Sequence, residues 1–130
     1  MGLDNGIVVT KSKIADKIFK NKKRFYYYDY ASEYEIIYWR KCWNIRAEVK
    51  KITGIFFDND AQIALSIDDI AKLIKYLKNL NKKNWEDGGY SIWTWEEYKD
   101  HIKQDIKNLK YLLQYMKKYP ELEVWFYDSY

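Results

Sequence analysis

The first clear pattern lies near the start of the chain, where a run of β-branched residues follows a glycine. Ile7, Val8, Val9 and Thr10 come directly after Gly6, which is typical of a strand. Because polar side chains do not alternate with the apolar ones, both faces of this strand should be covered. The pattern therefore predicts a strand at or near the centre of a sheet.

A run of aromatic residues from Phe25 to Tyr30 also has high β-propensity. If it forms a strand, alternation divides its side chains between two faces, Phe25, Tyr27 and Asp29 on one and Tyr26, Tyr28 and Tyr30 on the other. Neither face is polar enough to be simply solvated, so the strand should be covered on both faces or should face a partner. The lysine-rich stretch 11–24 before it predicts a loop or a short frayed helix.

Beyond this run the apolar spacing changes to that of a helix. Apolar residues recur at intervals of four and three, at Tyr38, Cys42, Ile45, Val49 and Ile52. Gly54 follows them as a C-terminal cap, because glycine readily adopts the left-handed conformation that ends a helix. The spacing predicts a helix from about residue 36 to residue 52.

Two further helices are predicted, each with a capping box at its N-terminus, formed by Ser66 with Asp69 and by Thr94 with Glu97. The first helix carries its apolar stripe at Ile67, Ile70, Ile74, Leu77 and Leu80. The second carries a longer stripe at Tyr98, Ile102, Ile106, Leu109, Leu113 and Met116. Because proline disfavours helix at the residue before it, the second helix should end ahead of Pro120.

The segments between these helices predict short elements. Residues 55–57 and 61–65 have the pattern of a hairpin, with the polar residues 58–60 as its turn. Residues 82–90 contain two adjacent glycines and predict a flexible loop, and residues 91–94 predict a short strand.

The chain ends with residues 121–127, where acidic and apolar residues alternate before an aromatic stretch, a pattern typical of a strand. Together the elements predict an α+β fold in which about three helices pack on a small, mainly antiparallel sheet. A length of 130 residues fits a single globular domain, 1–130, with one hydrophobic core.

Charge and composition narrow the function only slightly. The chain has 23 basic and 19 acidic residues and a net charge of +4, which suits an anionic partner without requiring nucleic acid. Its one cysteine, Cys42, cannot form an internal disulfide, as is usual in a reducing compartment. No apolar run is long enough to span a membrane and no secretory segment is recognisable, so a cytoplasmic location is expected.

No catalytic or metal-binding motif stands out. The one histidine, His101, is too far along the chain from Cys42 to match a zinc motif. The acidic pairs at 68–69 and 96–97 fall in the first turns of predicted helices, where the helix dipole favours negative charge. Residues 58–60 resemble the start of a calcium loop whose later glycine and glutamate are missing. We expect no metal and no cofactor, and whether the protein is an enzyme stays open.

Aromatic residues make up 19% of the chain, with 14 tyrosines and 6 tryptophans. On the helix predicted over 36–52, the flank beside the apolar stripe carries Trp39, Trp43, Arg46 and Lys50. A tryptophan face beside a guanidinium can stack on a planar base and pair with a phosphate. A second group is Tyr90, Trp93 and Trp95, after the two glycines, and a third is Trp125, Tyr127 and Tyr130.

Short motifs occur at both ends of the chain and in its middle. They are Met1-Gly2-Leu3-Asp4, Tyr38-Trp39-Arg40-Lys41, Asp87-Gly88-Gly89-Tyr90 and Val124-Trp125-Phe126-Tyr127-Asp128-Ser129. In these motifs the chain resembles a group of small phage and prophage proteins that open with Met-Gly-Leu-Asp and carry a Tyr-Trp-Arg-Lys segment. The resemblance implies a binding role inside the bacterial host, against a defence protein, a nucleic acid or a nucleotide messenger.

These observations favour a non-enzymatic protein that sequesters a nucleotide-type anion and so antagonises host defence. In this hypothesis the rings of Trp39, Trp43, Tyr90 or Trp93 stack on the base, and Arg40, Lys41 or Arg46 pairs with the phosphate.

Two other binding functions stay open. The run from Phe25 to Tyr30 could dock on a host protein and inhibit it, or join copies of this chain into a homo-oligomer, because tyrosine and tryptophan are enriched in interface hot spots. The lysine-rich stretches 11–24 and 107–118 could instead bind nucleic acid, with an affinity that falls steeply as salt rises.

Overall fold

The computed structural model describes residues 4–58 and 60–129, in which helices pack on one face of a five-stranded antiparallel sheet. The elements are β1 (Asp4–Thr10), α1 (Lys13–Phe19), β2 (Tyr26–Tyr28), β3 (Glu33–Arg40), α2 (Trp43–Thr53), β4 (Ala61–Ala64), α3 (Ile67–Lys78), α4 (Lys82–Asp87), α5 (Trp95–Lys118) and β5 (Val124–Ser129). The strands lie in the order β2-β3-β1-β5-β4. The predicted α+β fold with a mainly antiparallel sheet is confirmed, and α1 and α4 are short additions to the three predicted helices.

The predicted central strand is confirmed as β1, which pairs with β3 on one side and with β5 on the other. Ile7, Val8 and Val9 are all buried. Ile7 and Val9 belong to the core between sheet and helices, whereas Val8 lies on the opposite face of the sheet. Burial on both faces explains why apolar and polar residues do not alternate here.

The helix predicted over residues 36–52 is wrong in its first half. Residues Glu33–Arg40 form β3, Lys41 turns the chain with a positive φ of 51°, and α2 begins only at Trp43. The β-branched and aromatic residues of this segment favour a strand, and pairing with β1 satisfies their backbone groups. The second half is confirmed, because α2 ends at Gly54, whose φ of 69° is left-handed.

The predicted hairpin around residues 58–60 is also wrong. Residues 55–58 form no strand, and β4 pairs instead with β5 from the far end of the chain. Phe57 is buried, with its ring centroid 5.7 Å from that of Phe126 on β5, so the segment before β4 fills part of the core. Asn59, the middle residue of the predicted turn, lies outside the described residues.

The predictions for three shorter segments agree with the structure to different degrees. The stretch predicted as a loop or short helix contains α1, whose N-cap is Ser12. The predicted loop 82–90 is wrong over most of its length, because Lys82–Asp87 form α4, which Asn81 caps. The predicted strand 91–94 is wrong, because the pairing there is an isolated bridge between Ser91 and Cys42.

The two capped helices are confirmed as α3 and α5. Both capping boxes are present, Ser66 with Asp69 and Thr94 with Glu97, and α5 ends ahead of Pro120. Among the described residues, no helix has the length and apolar character needed to cross a lipid bilayer.

The closing strand is confirmed as β5, although it lies slightly later in the chain than predicted. Val124 and Phe126 are buried in the core, on the face of the sheet that the helices cover. Trp125 and Tyr127 alternate with them and therefore face the other side.

Candidate functional site

The two faces of the sheet carry different sets of side chains. Ile7, Val9, Ile37 and Phe126 lie on the inner face, in the core that the helices complete. The strand register places another set of side chains on the outer face: Asp4, Gly6, Val8, Thr10, Tyr26, Tyr28, Glu33, Glu35, Tyr38, Arg40, Gln62, Ala64, Trp125, Tyr127 and Ser129. A cleft of about 510 Å³ lies on this outer face, and no described helix contributes to its lining.

Tyrosine rings from β2 and the turn after it stand at one end of this cleft. Tyr26 is 63% exposed and Tyr30 is 89% exposed, while Tyr28 between them is half-buried. The ring centroid of Tyr28 lies 4.6 Å from that of Tyr26 and 5.8 Å from that of Tyr30. The predicted division of this run holds within the strand, because Phe25 and Tyr27 pack toward the core.

The cleft combines these rings with carboxylates. We call this surface the tyrosine face, and define it as Tyr26, Tyr28, Tyr30, Tyr38 and Tyr127 with the carboxylates of Asp4, Glu33, Glu35 and Asp60.

Two tyrosine hydroxyls of this face are fixed by carboxylates. Tyr28 donates to Oε2 of Glu35 at 2.6 Å, and Tyr38 donates to Oδ1 of Asp4 at 2.5 Å. The hydrogen bond to Glu35 and partial burial raise the pKa of Tyr28, and burial with the bond to Asp4 raises the pKa of Tyr38 to about 12. Both phenols therefore stay protonated near neutral pH and keep their rings in place.

Gly6 at the centre of the outer face makes room for the ring of Tyr127. A Cβ atom at Gly6 would lie 2.9 Å from Cε1 of Tyr127 and 2.3 Å from the carbonyl oxygen of Ile37. Any larger residue would push the ring out of the cleft or distort the strand pairing. Burial raises the pKa of Tyr127, and the nearby Glu35 raises it further.

The end of the cleft near β4 is polar. Ser129 donates to Oδ1 of Asp60 at 2.9 Å, and Asp60 has a left-handed φ of 60°, a conformation that aspartate tolerates. Asp128 also lines the cleft, and its Oδ2 accepts from Nε of Arg46 at 2.7 Å. Its Oδ1 is buried and has no hydrogen-bond partner among the described residues. Asp128 follows Tyr127 on β5, so its buried carboxylate lies on the inner face beside Arg46 and is not open to the cleft.

The tyrosine face is acidic although the chain is basic. Of the 23 Lys and Arg residues in the sequence, Arg40 alone lies in a described strand. The cleft, in contrast, is lined by Asp4, Glu33, Glu35 and Asp60. Carboxylates beside aromatic rings attract cations, through charge and through the ring quadrupole. This chemistry suits a positively charged partner and not a phosphate.

Trp39, the first ring of the predicted base-stacking flank, is completely buried. It lies on β3 and faces the helices, where its Nε1 donates to the hydroxyl of Tyr98 and to Oδ2 of Asp105, each at 3.2 Å. The prediction that Trp39 and Trp43 share a helix flank is wrong, because α2 begins at Trp43.

The predicted phosphate-binding residues have different environments. Arg46 is buried and bonded to Asp128, and its guanidinium carbon lies 5.3 Å from the ring centroid of Trp43. Arg40 is exposed at the end of β3, and Lys41 is half-buried in the turn that follows. Arg46 therefore joins α2 to the sheet, while Arg40 lies at the surface.

Tyr90 and Trp93 do come together, in a separate cleft of about 390 Å³. The ring of Trp93 stacks on that of Tyr98, with 5.8 Å between centroids, and Tyr90 is exposed. Among the described residues, neither Lys nor Arg lines this cleft. The predicted stacking rings are therefore not joined to a phosphate-binding group here.

Several residues of the tyrosine face were not predicted as site residues from the sequence. Tyr38 was assigned to a helix stripe, and Glu33 and Glu35 were not assigned a role. The alternation of Glu33, Tyr34 and Glu35 is a usable signal, because it predicts a strand with one acidic face. No local pattern shows that β3 lies beside β1, or that Tyr127 joins it from the other end of the chain.

No protein-family model, curated protein or solved structure matches the chain. Within residues 4–58 and 60–129, no three His, Cys, Asp or Glu side chains are grouped so that they could hold a metal ion. Tyr130 and the opening residues Met1, Gly2 and Leu3, which belong to predicted motifs, lie outside the described part of the chain.

Proposed function

We propose that this protein is a binding protein that docks its tyrosine face on a basic surface of a partner protein. The observation that carries the proposal is the charge of that face. A chain of net charge +4 places Asp4, Glu33, Glu35 and Asp60 around one cleft. Lysine and arginine side chains of a partner would complement both these carboxylates and the rings beside them.

The rings favour a protein partner. Tyrosine supplies a large, stiff and amphipathic contact surface and is enriched among the residues that dominate binding energy. Tyr30 lines the cleft and Tyr26 lies beside Tyr28, and both rings are exposed where a partner can reach them. A cation over an exposed ring contributes about 0.5–1 kcal/mol.

The cleft is formed before any partner binds. Tyr28 and Tyr38 are held by their hydrogen bonds to carboxylates, and the ring of Tyr127 lies against Gly6. Side chains that are already ordered lose less conformational entropy on binding, which favours affinity.

The resemblance to small phage and prophage proteins supports a host protein as the source of the partner, with inhibition as the consequence. Nucleotide sequestration by Trp39, Trp43, Tyr90 or Trp93 stays a prediction. Its residues are divided between the core and separate parts of the surface, which is why we favour the tyrosine face.

Titration calorimetry with an octa-arginine peptide tests the proposal. The wild type is expected to bind this peptide with an affinity that falls as salt rises, and not to bind an octa-glutamate peptide. Replacing two exposed rings, Tyr26→Ser with Tyr30→Ser, should weaken binding by at least about fivefold. Glu33→Gln should weaken it as well, because a carboxylate of the cleft is lost.

Matched variants lie outside the tyrosine face. Tyr90→Ser removes another exposed ring and Glu121→Gln another exposed carboxylate, and neither should change the affinity. Equal binding of the two peptides, or equal losses in the matched variants, would contradict the proposal. Sedimentation of the wild type alone is a further test: dimers that the Tyr26/Tyr30 double variant abolishes would mean that the face binds a second copy of this chain instead of another protein.

A further inference from the structure

We infer that the protein has a second binding site, for a small phosphate-bearing molecule, in a cleft between α2, α3 and α4. This helix cleft has a volume of about 440 Å³, within the range usual for small-molecule sites. Its lining includes Glu48, Lys51, Lys72, Lys75, Tyr76 and Asn84. None of these residues belongs to the tyrosine face, so the inference goes beyond the proposed function and does not depend on it.

Three ammonium groups from two helices line the helix cleft. Lys51 comes from the last turn of α2, and Lys72 and Lys75 come from α3. Lys72 pairs with Asp68 at 3.0 Å, but both side chains are exposed and such a pair contributes little, so a phosphate can replace the carboxylate. Among the described residues, no carboxylate lies within ion-pair distance of Lys51 or Lys75.

Glu48 is the carboxylate in the lining of the helix cleft. Burial raises its pKa, and Lys51 nearby acts in the opposite direction. Three lysines against this one carboxylate leave the lining with a positive charge. Lysine is a common ligand for phosphate, which it binds as a point charge.

Tyr76 adds an aromatic ring and a hydroxyl donor to the helix cleft. The residue is half-buried, and its hydroxyl makes no hydrogen bond to any described residue. Burial raises the pKa of Tyr76, so the phenol stays protonated and can donate to a phosphate oxygen. The ring can also stack on a base, if the phosphate belongs to a nucleotide.

One wall of the helix cleft is held rigidly. The side chain of Asn84 donates from Nδ2 to the carbonyl oxygen of Asn79 at 3.0 Å and accepts from the backbone N–H of Asn81 at 2.6 Å. These bonds fix the start of α4 against the end of α3. A rigid wall means that the site does not have to form when the ligand arrives.

Lys51 and Lys75 have two explanations, stabilisation of a helix C-terminus by a positive charge and binding of a phosphate. The helix dipole explains a lysine at the end of each helix, but it does not explain why the two ends line one cleft. Lys78 separates the two explanations. It lies in the last turn of α3, as Lys75 does, but it does not line the cleft.

Titration calorimetry with ATP and with pyrophosphate, and with adenosine as the uncharged reference, tests the inference. The wild type is expected to bind at least one phosphate compound and not adenosine. Lys51→Gln with Lys75→Gln should weaken that binding by at least about tenfold. Lys78→Gln with Lys110→Gln removes the same charge outside the cleft and should change it by less than about twofold.

The two phosphate compounds distinguish the sources of the phosphate. Tighter binding of ATP, lost in Tyr76→Leu, identifies a nucleotide, and equal binding of pyrophosphate identifies the phosphate group alone. Absence of binding to both compounds, or equal losses in the two lysine double variants, would overturn the inference. Unchanged far-UV circular dichroism and thermal unfolding show that each variant is folded. Absence of phosphate binding would not affect the proposal for the tyrosine face, because the two sites share no residues.

Discussion

The carboxylate of Asp105 is the clearest case in which burial alters the chemistry of one residue. It lies on α5, where it accepts from the hydroxyl of Tyr98 at 2.7 Å and from Nε1 of Trp39 at 3.2 Å. Burial raises the pKa of Asp105 to about 6, although both hydrogen bonds oppose the rise. The folded protein therefore binds a proton at this site more readily than the unfolded chain does.

Acidification should stabilise the wild type relative to Asp105→Asn, which keeps an oxygen acceptor but cannot titrate. The pKa of Asp105 is 3.8 in the unfolded reference and about 6 when folded, so its stabilising contribution is full below the lower value and is lost as pH rises through the higher one. Between about pH 7.5 and about pH 5 the difference in unfolding free energy should change by roughly 1 kcal/mol in favour of the wild type. Urea unfolding of both proteins across this range measures it, and a difference that does not vary with pH would contradict the assignment.

Among the elements, α5 is defined most clearly by local interactions. The Oγ1 of Thr94 accepts from the backbone N–H of Glu97 at 3.3 Å, and Oε1 of Glu97 accepts from the backbone N–H of Thr94 at 3.1 Å. These reciprocal bonds satisfy backbone donors that have no partner inside the helix. Thr94 and Glu97 lie within one helical turn, so the start of α5 can be predicted from the sequence alone.

Removing the cap should destabilise the protein by an amount typical of one helix end. Thr94→Ala loses the hydroxyl acceptor and should lower the free energy of unfolding by about 1 kcal/mol. Thr94→Ser keeps the hydroxyl and should lie close to the wild type. Thermal unfolding followed by far-UV circular dichroism compares the three proteins, and equal effects of alanine and serine would mean that the loss comes from packing and not from the cap.

The segment from Glu33 to Thr53 shows the limit of the same local reasoning. Apolar residues keep a helical spacing through it, yet the first part is β3 and only the second part is α2. The strand conformation is stabilised by pairing with β1, a contact between residues far apart in sequence. Where a short apolar run fits both the helical and the strand period, such contacts determine its conformation.

At the scale of the whole molecule, one buried ion pair joins the helices to the sheet. Nε of Arg46 on α2 lies 2.7 Å from Oδ2 of Asp128 on β5, and the carboxylate side chain is completely buried. Burial raises the pKa of Asp128, and the Arg46 guanidinium opposes this rise. A buried carboxylate that loses its cation is strongly destabilising, whereas replacing both partners by apolar residues costs much less.

Arg46→Met should therefore lower the free energy of unfolding by about 3 kcal/mol, because it leaves the carboxylate of Asp128 buried without its cation. Adding Asp128→Leu to that variant should restore a large part of the loss. Urea unfolding of the two single variants and the double variant forms the cycle that measures this coupling. Additive losses would show that the two side chains contribute independently.

Charged residues are distributed unevenly over the whole molecule. The described strands contain one basic residue, Arg40, while the lysines lie on helices and loops. The tyrosine face is therefore acidic and the helix cleft is basic, and the two proposed sites attract partners of opposite charge. A net charge of +4 for the whole chain conceals this division.

The sequence is sufficient for features that depend on neighbours within a few residues. It predicted β1 from its β-branched run, the starts of α3 and α5 from their capping boxes, and the placement of Tyr26 and Tyr28 on one face of their strand with Tyr27 on the other. These features follow from backbone sterics, side-chain alternation and hydrogen bonds within one turn, so they can be read locally.

The fold determines which segments of the chain meet. It placed Trp39 in the core instead of on a binding flank, and it brought Tyr38 and Tyr127, which are far apart in sequence, to the two sides of Gly6. The reason is that strand pairing and core burial depend on contacts between distant residues, whose free energy no local window contains. The candidate sites are made of such contacts, and for that reason the sequence indicated aromatic binding residues without showing which of them share a surface.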